Sequence, residues 1–106
     1  MITIDDFKKL SLKIATVKAV KPHPNADRLY LVDVDLGGED RQLVAGIRQF
    51  YSPEELVGKQ VVVVENMAPA TIRGVESKGM ILAAQGKDKI VVVSPEKPVE
   101  AGSIVK

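Results

Sequence analysis

The stretch from Glu65 to Ala84, ENMAPATIRGVESKGMILAA, joins two apolar runs, and the rest of the chain is organised around it. On its N-terminal side stand Val61, Val62, Val63 and Val64, an unbroken β-branched run that predicts a strand buried on both faces or set in a barrel wall. Met80 to Ala84 is the apolar run that follows. Pro69, Gly74 and Gly79 do not belong inside regular elements, so the chain leaves the strand at Asn66 and returns at Gly79. Between them a loop carries Asn66, Thr71, Arg73, Glu76, Ser77 and Lys78, all donors, acceptors or charges, with no aromatic side chain. This loop is the expected working surface.

Toward the N-terminus, Thr3 or Asp5 can cap a helical turn over Asp6 to Leu10, with Phe7 and Leu10 sharing a face. Leu12 to Val20 places Leu12, Ile14, Val17 and Val20 against Lys13 and Lys18, with the alternation broken near Ala15. That pattern predicts a long strand with a bulge. Lys21 to Asp27 is a rigid turn, because Pro22 and Pro24 fix their own φ and restrain the residues before them. Leu29 to Leu36 alternates, Gly37-Gly38 is a hairpin signal, and Arg41 to Ala45 is the return strand. Ser52-Pro53-Glu54-Glu55 starts a short helix with Ser52 as cap and Glu55 reaching back, and Gly58 ends it. Beyond the central loop, Ile90 to Val93 is an apolar run, and Ile104-Val105 forms a last edge strand.

The 106 residues make one domain, 1–106, with a core large enough to need no staples. With no Cys there are no disulfides, thiolate metal sites or cysteine nucleophiles. No apolar run reaches the roughly 20 residues that span a bilayer, and MITIDDF lacks a signal pattern, so a soluble, cytoplasmic protein is expected. Net charge is +1, from 15 basic and 14 acidic residues, but the distribution is uneven. Lys8, Lys9, Lys13, Lys18, Lys21 and Arg28 face a single acid, Asp27, whereas Asp33, Asp35, Glu39 and Asp40 cluster just afterwards. A functional patch and alternating solvated strand faces account for this equally well.

Five or more strands in a meander, with one short helix between the third and fourth, is the order of an oligonucleotide-binding (OB) barrel. The expected fold is all-β, an OB five-stranded barrel with one short helix and a C-terminal extension. In that fold, ligands meet the face of strands two and three, between the loop joining strands one and two and the loop joining strands four and five. Lys21 to Arg28 falls on the first of these loops and Asn66 to Gly79 on the second.

Four blocks carry a resemblance: His23-Pro24-Asn25-Ala26-Asp27-Arg28-Leu29, Gly58-Lys59 before the valine run, Asn66-Met67-Ala68-Pro69, and Arg73-Gly74-Val75-Glu76-Ser77-Lys78-Gly79-Met80. Spaced in this order, they resemble the tRNA-binding domain appended to methionyl-tRNA synthetases. The same module occurs as free-standing bacterial tRNA-binding proteins, in the endothelial monocyte-activating polypeptide and in a yeast synthetase cofactor. The resemblance implies a barrel that binds the folded body of tRNA by shape rather than by sequence. It often works as a homodimer through segments beyond the barrel, beside or attached to a methionyl-tRNA synthetase catalytic domain. Carried over, the tRNA contacts are Asn66, Arg73, Ser77, Lys78 and Met80, with Lys13, Arg41 and Lys59 as secondary contacts. His23, Asp27, Gly74 and Gly79 shape the loops. The family commonly has Leu and then a basic or polar residue between the Asn and the Pro, where this chain has Met67 and Ala68. Any phosphate contact made from that position in relatives is missing here.

The residues themselves leave alternatives open. Arg73 and Lys78 can neutralise phosphates or stand as solvated loop charges. Asn66 can donate to a phosphate or 2′-OH, or hold the turn through nearby backbone. Ser77 can bond RNA or cap the turn before Gly79, and Met80 can be core filler. His23 is the only His; lacking companion ligands or a nucleophile, it is expected to bond within its own loop, with no metal or cofactor. Phe7 and Phe50 are expected in the core, and the scarcity of rings favours recognition of folded RNA over stacking on unpaired bases. An enzyme is not expected, since no paired acids surround a pocket. The alternative is a secretion-related chaperone of the same fold that binds polypeptide in an apolar groove. In the C-terminal segment, Val91, Val92, Val93, Ile104 and Val105 predict part of a dimer interface or a lid under the barrel.

Overall fold

Val61 to Val64 make up all but the first residue of a strand covered on both faces, and the architecture follows from how that is done. The computed structural model describes residues 1–106. The chain runs α1 (Ile4–Phe7), β1 (Leu12–Pro22), β2 (Tyr30–Asp35), β3 (Asp40–Ala45), α2 (Pro53–Leu56) and β4 (Gln60–Val64). It continues through β5 (Ala70–Ile72), β6 (Val75–Ser77), β7 (Met80–Ile81), β8 (Ala83–Gln85), β9 (Ile90–Val92) and β10 (Ile104–Val105).

β1 is long enough to serve two partners. Leu12 to Thr16 pair antiparallel with Val64 to Gln60 of β4, and Thr16 to Pro22 pair with Asp35 to Tyr30 of β2. The register slips between Val17 and Ala19, so the expected bulge lies just beyond the break at Ala15, where the strand changes partners. The hydrogen-bonded order is β3-β2-β1-β4-β7, and β7 comes back beside β3 to leave a nearly closed five-stranded antiparallel barrel. β10 adds to the free edge of β1 at Leu12 and Lys13.

Alternation along β1 and β4 divides the apolar residues between two cores. Ala15, Val17, Val61 and Val63 point into the barrel with Val32, Val34 and Leu43. Leu12, Ile14, Val62 and Val64 point outward and are covered by Phe7, Leu82 and Val105. The inner core is closed at one end by Leu56 of α2, which is 1% exposed. α2 is positioned as its sequence dictates, with Ser52 Oγ accepting from Glu55 N and Glu55 Oε1 accepting from Ser52 N.

Three expectations are corrected. α1 begins two residues earlier than Asp6 because Thr3 and Asp6 form a capping box, and it ends at Phe7; Phe7 and Leu10 do line one groove, with Leu10 exposed. Phe50 lies at the surface, just before α2, whereas the rings packed in the core are the buried Tyr30 and the partly buried Tyr51: Tyr30 Oη donates to Tyr51 O at 2.6 Å, and Tyr51 Oη accepts from Val92 N at 3.0 Å. The run Met80 to Ala84 is two strands, since Leu82 turns away to donate from its N–H to Val62 O at 2.9 Å.

Gly79 is pinned where the chain re-enters the barrel. At φ +132° it is in the region disfavoured for L side chains, and an added Cβ would stand 2.9 Å from Val64 O and 3.2 Å from Leu43 Cδ2. Gly74 has φ +89° but open space, its nearest neighbour being Asn25 Nδ2 at 3.7 Å. In urea titrations Gly79→Ala is expected to lose about 2 kcal/mol or more, and Gly74→Ala about 1 kcal/mol. Equal losses would show that the close approach at Gly79 is not limiting.

Candidate functional site

The connection from β4 to β7 is itself built structure, a hairpin of β5 and β6 in register Ala70↔Ser77, Thr71↔Glu76 and Ile72↔Val75. Its two-residue turn, Arg73-Gly74, has φ of 54° and 89°. Positive φ at both central positions is what a tight hairpin turn matched to strand twist requires. Arg73 is the one non-glycine residue in the chain with positive φ, a conformation that surrounding contacts must hold.

The contacts come from the β1–β2 loop. His23 is 3% exposed, and its Nε2–H donates to Ile72 O at 2.9 Å while Nδ1 accepts from Asn25 N at 2.9 Å. Those partners define the neutral tautomer with its proton on Nε2. Asn25 completes the link, its Nδ2 donating to Arg73 O at 3.3 Å and its carbonyl accepting from Arg73 Nη2 at 3.0 Å. His23 thus bonds within its own loop, as expected, and also across 49 residues to the hairpin. Asp27 enters none of these bonds; its exposed carboxylate leaves the loop to be shaped by His23 and Asn25. Asn25 had a signal in the sequence, as a turn-forming amide after Pro24.

The hairpin's base is fastened to β3. Ser77 is 3% exposed; its Oγ accepts from Val44 N at 2.9 Å and donates to Gly79 O at 3.0 Å. The hydroxyl therefore faces inward and caps the turn before Gly79, which corrects its placing among direct contacts. Lys78 N donates to Gln42 O at 3.0 Å, and Gln42 Nε2 to Glu76 O at 3.3 Å.

Below the hairpin, Glu65 gathers the N-terminal segment and the secondary basic residues. Ser11 Oγ donates to Glu65 Oε1 at 2.6 Å, Lys13 Nζ stands 3.2 Å from the same oxygen, and Arg41 Nη2 lies 3.9 Å from Oε2. The Ser11 hydroxyl, then Lys13 and Arg41, hold the Glu65 carboxyl below the usual glutamate range against the opposing effect of burial. Arg41 also donates to the carbonyls of Glu65 and Lys78 and pairs with Glu39 at 2.8 Å. Asn66 holds the N-terminal segment, its Oδ1 accepting from Ser11 N at 2.9 Å and its Nδ2 donating to Lys9 O at 2.8 Å.

Of the expected contacts, Arg73, Lys78 and Met80 present exposed side chains on the hairpin and its return, with Lys78 Nζ only 3.7 Å from Glu76 Oε1 in a solvated pair. Lys13 and Arg41 come beside them but are engaged with Glu65. Lys59 is not brought to this site; it precedes β4 at the strand's opposite end, in a polar groove with Thr16, Gln60 and Ser94. On the β1–β3 surface, Lys18 pairs with Asp40 at 2.7 Å, so part of the charge asymmetry cancels locally.

A nearly closed five-stranded barrel, with a helix between its third and fourth strands and its two ligand-facing loops locked together, is an OB-type binding module. The chain belongs to the family described as "Putative tRNA binding domain", whose model matches residues 12–104. It is 48% identical over 105 residues to the methionine-tRNA ligase of Thermococcus kodakarensis; the match covers 99% of this chain and 14% of that ligase. Among solved structures, a MetRS related protein from Pyrococcus horikoshii superposes with a TM-score of 0.93 at 34% identity, covering 100% of this chain and 98% of that one. The chaperone CsaA from Bacillus anthracis superposes with a TM-score of 0.91 at 28% identity, covering 100% and 99% of the respective chains.

The His23 bonds can be separated. His23→Gln keeps a donor within reach of Ile72 O, and His23→Asn keeps an acceptor for Asn25 N. If the long-range bond holds the hairpin, amide exchange of Val75 and Ile72 stays near wild type in the Gln variant. It quickens in the Asn variant by the equivalent of about 1–3 kcal/mol. The opposite ranking would assign the role to the local bond.

Glu65 has a depressed pKa in the folded state, so its contribution is present at neutral pH and lost as pH falls through the depressed value. Chemical denaturation of wild type and Glu65→Gln should show a gap near pH 7 that closes on acidification below the ordinary glutamate range. A gap independent of pH would remove the ionised carboxylate from the account.

Proposed function

We propose that this chain is a non-catalytic module that binds the folded body of tRNA by shape and charge, without reading its sequence. It would act attached to or beside a methionyl-tRNA synthetase catalytic domain, or as a free-standing protein. The observation that carries the proposal is the braced hairpin, which presents Arg73, Lys78 and Met80 from one ordered projection beside the β1–β2 loop. Family membership and the likeness to methionine-tRNA ligases support tRNA as the partner. With both tyrosine hydroxyls hydrogen-bonded to main chain and Phe50 the one exposed phenylalanine, phosphate and 2′-OH contacts outweigh base stacking. Such a module raises the local concentration of tRNA near a catalytic site and needs no chemistry or cofactor of its own. The place of action is the cytoplasm, where that catalytic partner works.

The same module is proposed to act as a homodimer. Ile4, Phe7, Leu10, Ile104 and Val105 line an apolar groove, with Ile104 73% exposed, and β10 adds only two residues to the edge of β1. Of the C-terminal segment, Val92 and Val105 act as the lid, whereas Val91, Val93 and Ile104 remain exposed for a second copy. The likeness to CsaA supports a second reading, in which polypeptide occupies this groove.

Fluorescence anisotropy with folded tRNA across a salt series tests the main reading. Arg73→Ala with Lys78→Ala should weaken binding and make the salt slope shallower by about two. Binding unchanged by the substitutions would move the interface elsewhere. Equal affinity for an unstructured RNA of the same length would refute recognition by shape, and absence of binding at low salt would favour the polypeptide reading. Light scattering at micromolar concentration should report a dimer that Ile104→Asp converts to monomer; a monomeric wild type would remove the dimer.

A further inference from the structure

Arg48 lies outside both loops that the barrel order singles out, in the connection from β3 to α2. Its Nη1 donates to Ala26 O at 3.1 Å, while Arg73 Nη2 donates to Asn25 O at 3.0 Å. Two guanidinium groups thus rest on consecutive carbonyls of one turn. Successive Cα atoms are about 3.8 Å apart, so the two donating nitrogens are held within roughly 12 Å of each other. That span suits one phosphate or two neighbouring phosphates of a nucleic-acid strand.

The pair has no carboxylate. The ion pairs of the chain involve Lys9, Lys13, Lys18, Arg41 and Lys78, and neither Arg48 nor Arg73 takes part in one. Each is instead held by a main-chain carbonyl, which fixes the head without neutralising it and leaves most of its five N–H donors unused. Two like charges oriented in this way repel, and an anion placed between them relieves that repulsion. Planar, forked donors match phosphate oxygens two at a time. The turn that seats them is itself braced, by Asn25 N donating to His23 Nδ1 and Arg48 N donating to Arg28 O at 3.4 Å.

We infer that Arg48 and Arg73 form a two-pronged clamp for the RNA phosphate backbone, seated on the Asn25 and Ala26 carbonyls. Arg48 is then a backbone contact outside the β4–β7 connection. The inference rests on the RNA-binding reading for its ligand, but its geometry can be tested apart from it.

The first arm uses sodium pyrophosphate as probe and the Nε–Hε resonances of the four arginines, Arg28, Arg41, Arg48 and Arg73, in the full chain. Arg48 and Arg73 should shift together along one saturating curve while the ion-paired Arg41 stays still. Shifts of Arg73 without Arg48, or of all four in proportion to ionic strength, would overturn the clamp. The second arm measures folded tRNA binding by Arg48→Gln, which removes the charge and keeps a polar side chain. About tenfold weaker binding at low salt and a salt slope shallower by about one are expected. Lys87→Gln, the same charge change on the β8–β9 turn, outside the Asn25–Ala26 seat, should leave both unchanged. Wild-type tRNA binding with an unaffected Arg48→Gln variant would overturn the role of Arg48 and leave the proposed function standing. Paired pyrophosphate shifts in a wild type that fails to bind tRNA would do the reverse.

Discussion

The molecule depends on covering both faces of β4. A strand of Gln60 followed by four valines has no solvent side, so the inner faces of Val61 and Val63 must find a barrel and the outer faces of Val62 and Val64 a second layer. Burying each valine side chain contributes on the order of 1.5 kcal/mol or more, enough to make either half-solution costly. β1 resolves the problem by pairing with β4 along one half, with its own side chains split in the same phase between the two cores. Phe7, Leu82 and Val105 then come from three distant parts of the chain to the outer layer. α1, the β7–β8 bend and β10 are in this sense consequences of one β-branched run.

The same logic shows what the sequence could disclose. Period-two patterning, the Gly37-Gly38 turn and the Ser52 cap are local signals, and the meander and α2 were legible from them. The split of Met80 to Ala84 at Leu82 was not, because it depends on a hydrogen bond to Val62, which no window around Leu82 contains. The hairpin over Ala70 to Ser77 reads in the sequence only as a loop rich in turn residues. Its turn is an Arg-Gly pair, and arginine is a poor advocate for positive φ until Asn25 and His23 are seen to hold it.

At the site, the distinction lies between residue type and direction. Asn66, Arg73, Ser77, Lys78 and Met80, the set that the resemblance carries over, fall on or beside one projection. Ser77 nevertheless turns inward to β3, and Asn66 engages its amide with the backbone of Lys9 and Ser11. A polar side chain in a loop is ambiguous until its partners are known, and here the polar residues divide into those that build the projection and those that project. His23 belongs to the builders: a buried ring with both nitrogens engaged makes two loops behave as one body, so that charges on either are delivered in a fixed relation.

The second layer over β4 has a further result. α1 and β10 meet in it, and Ile4 and Lys106 line the same groove, so the first and last ordered elements emerge side by side. A barrel whose ends are neighbours can be joined to another polypeptide through either end and present the same surface to it. Its topology can also be cut and re-spliced elsewhere with little geometric penalty.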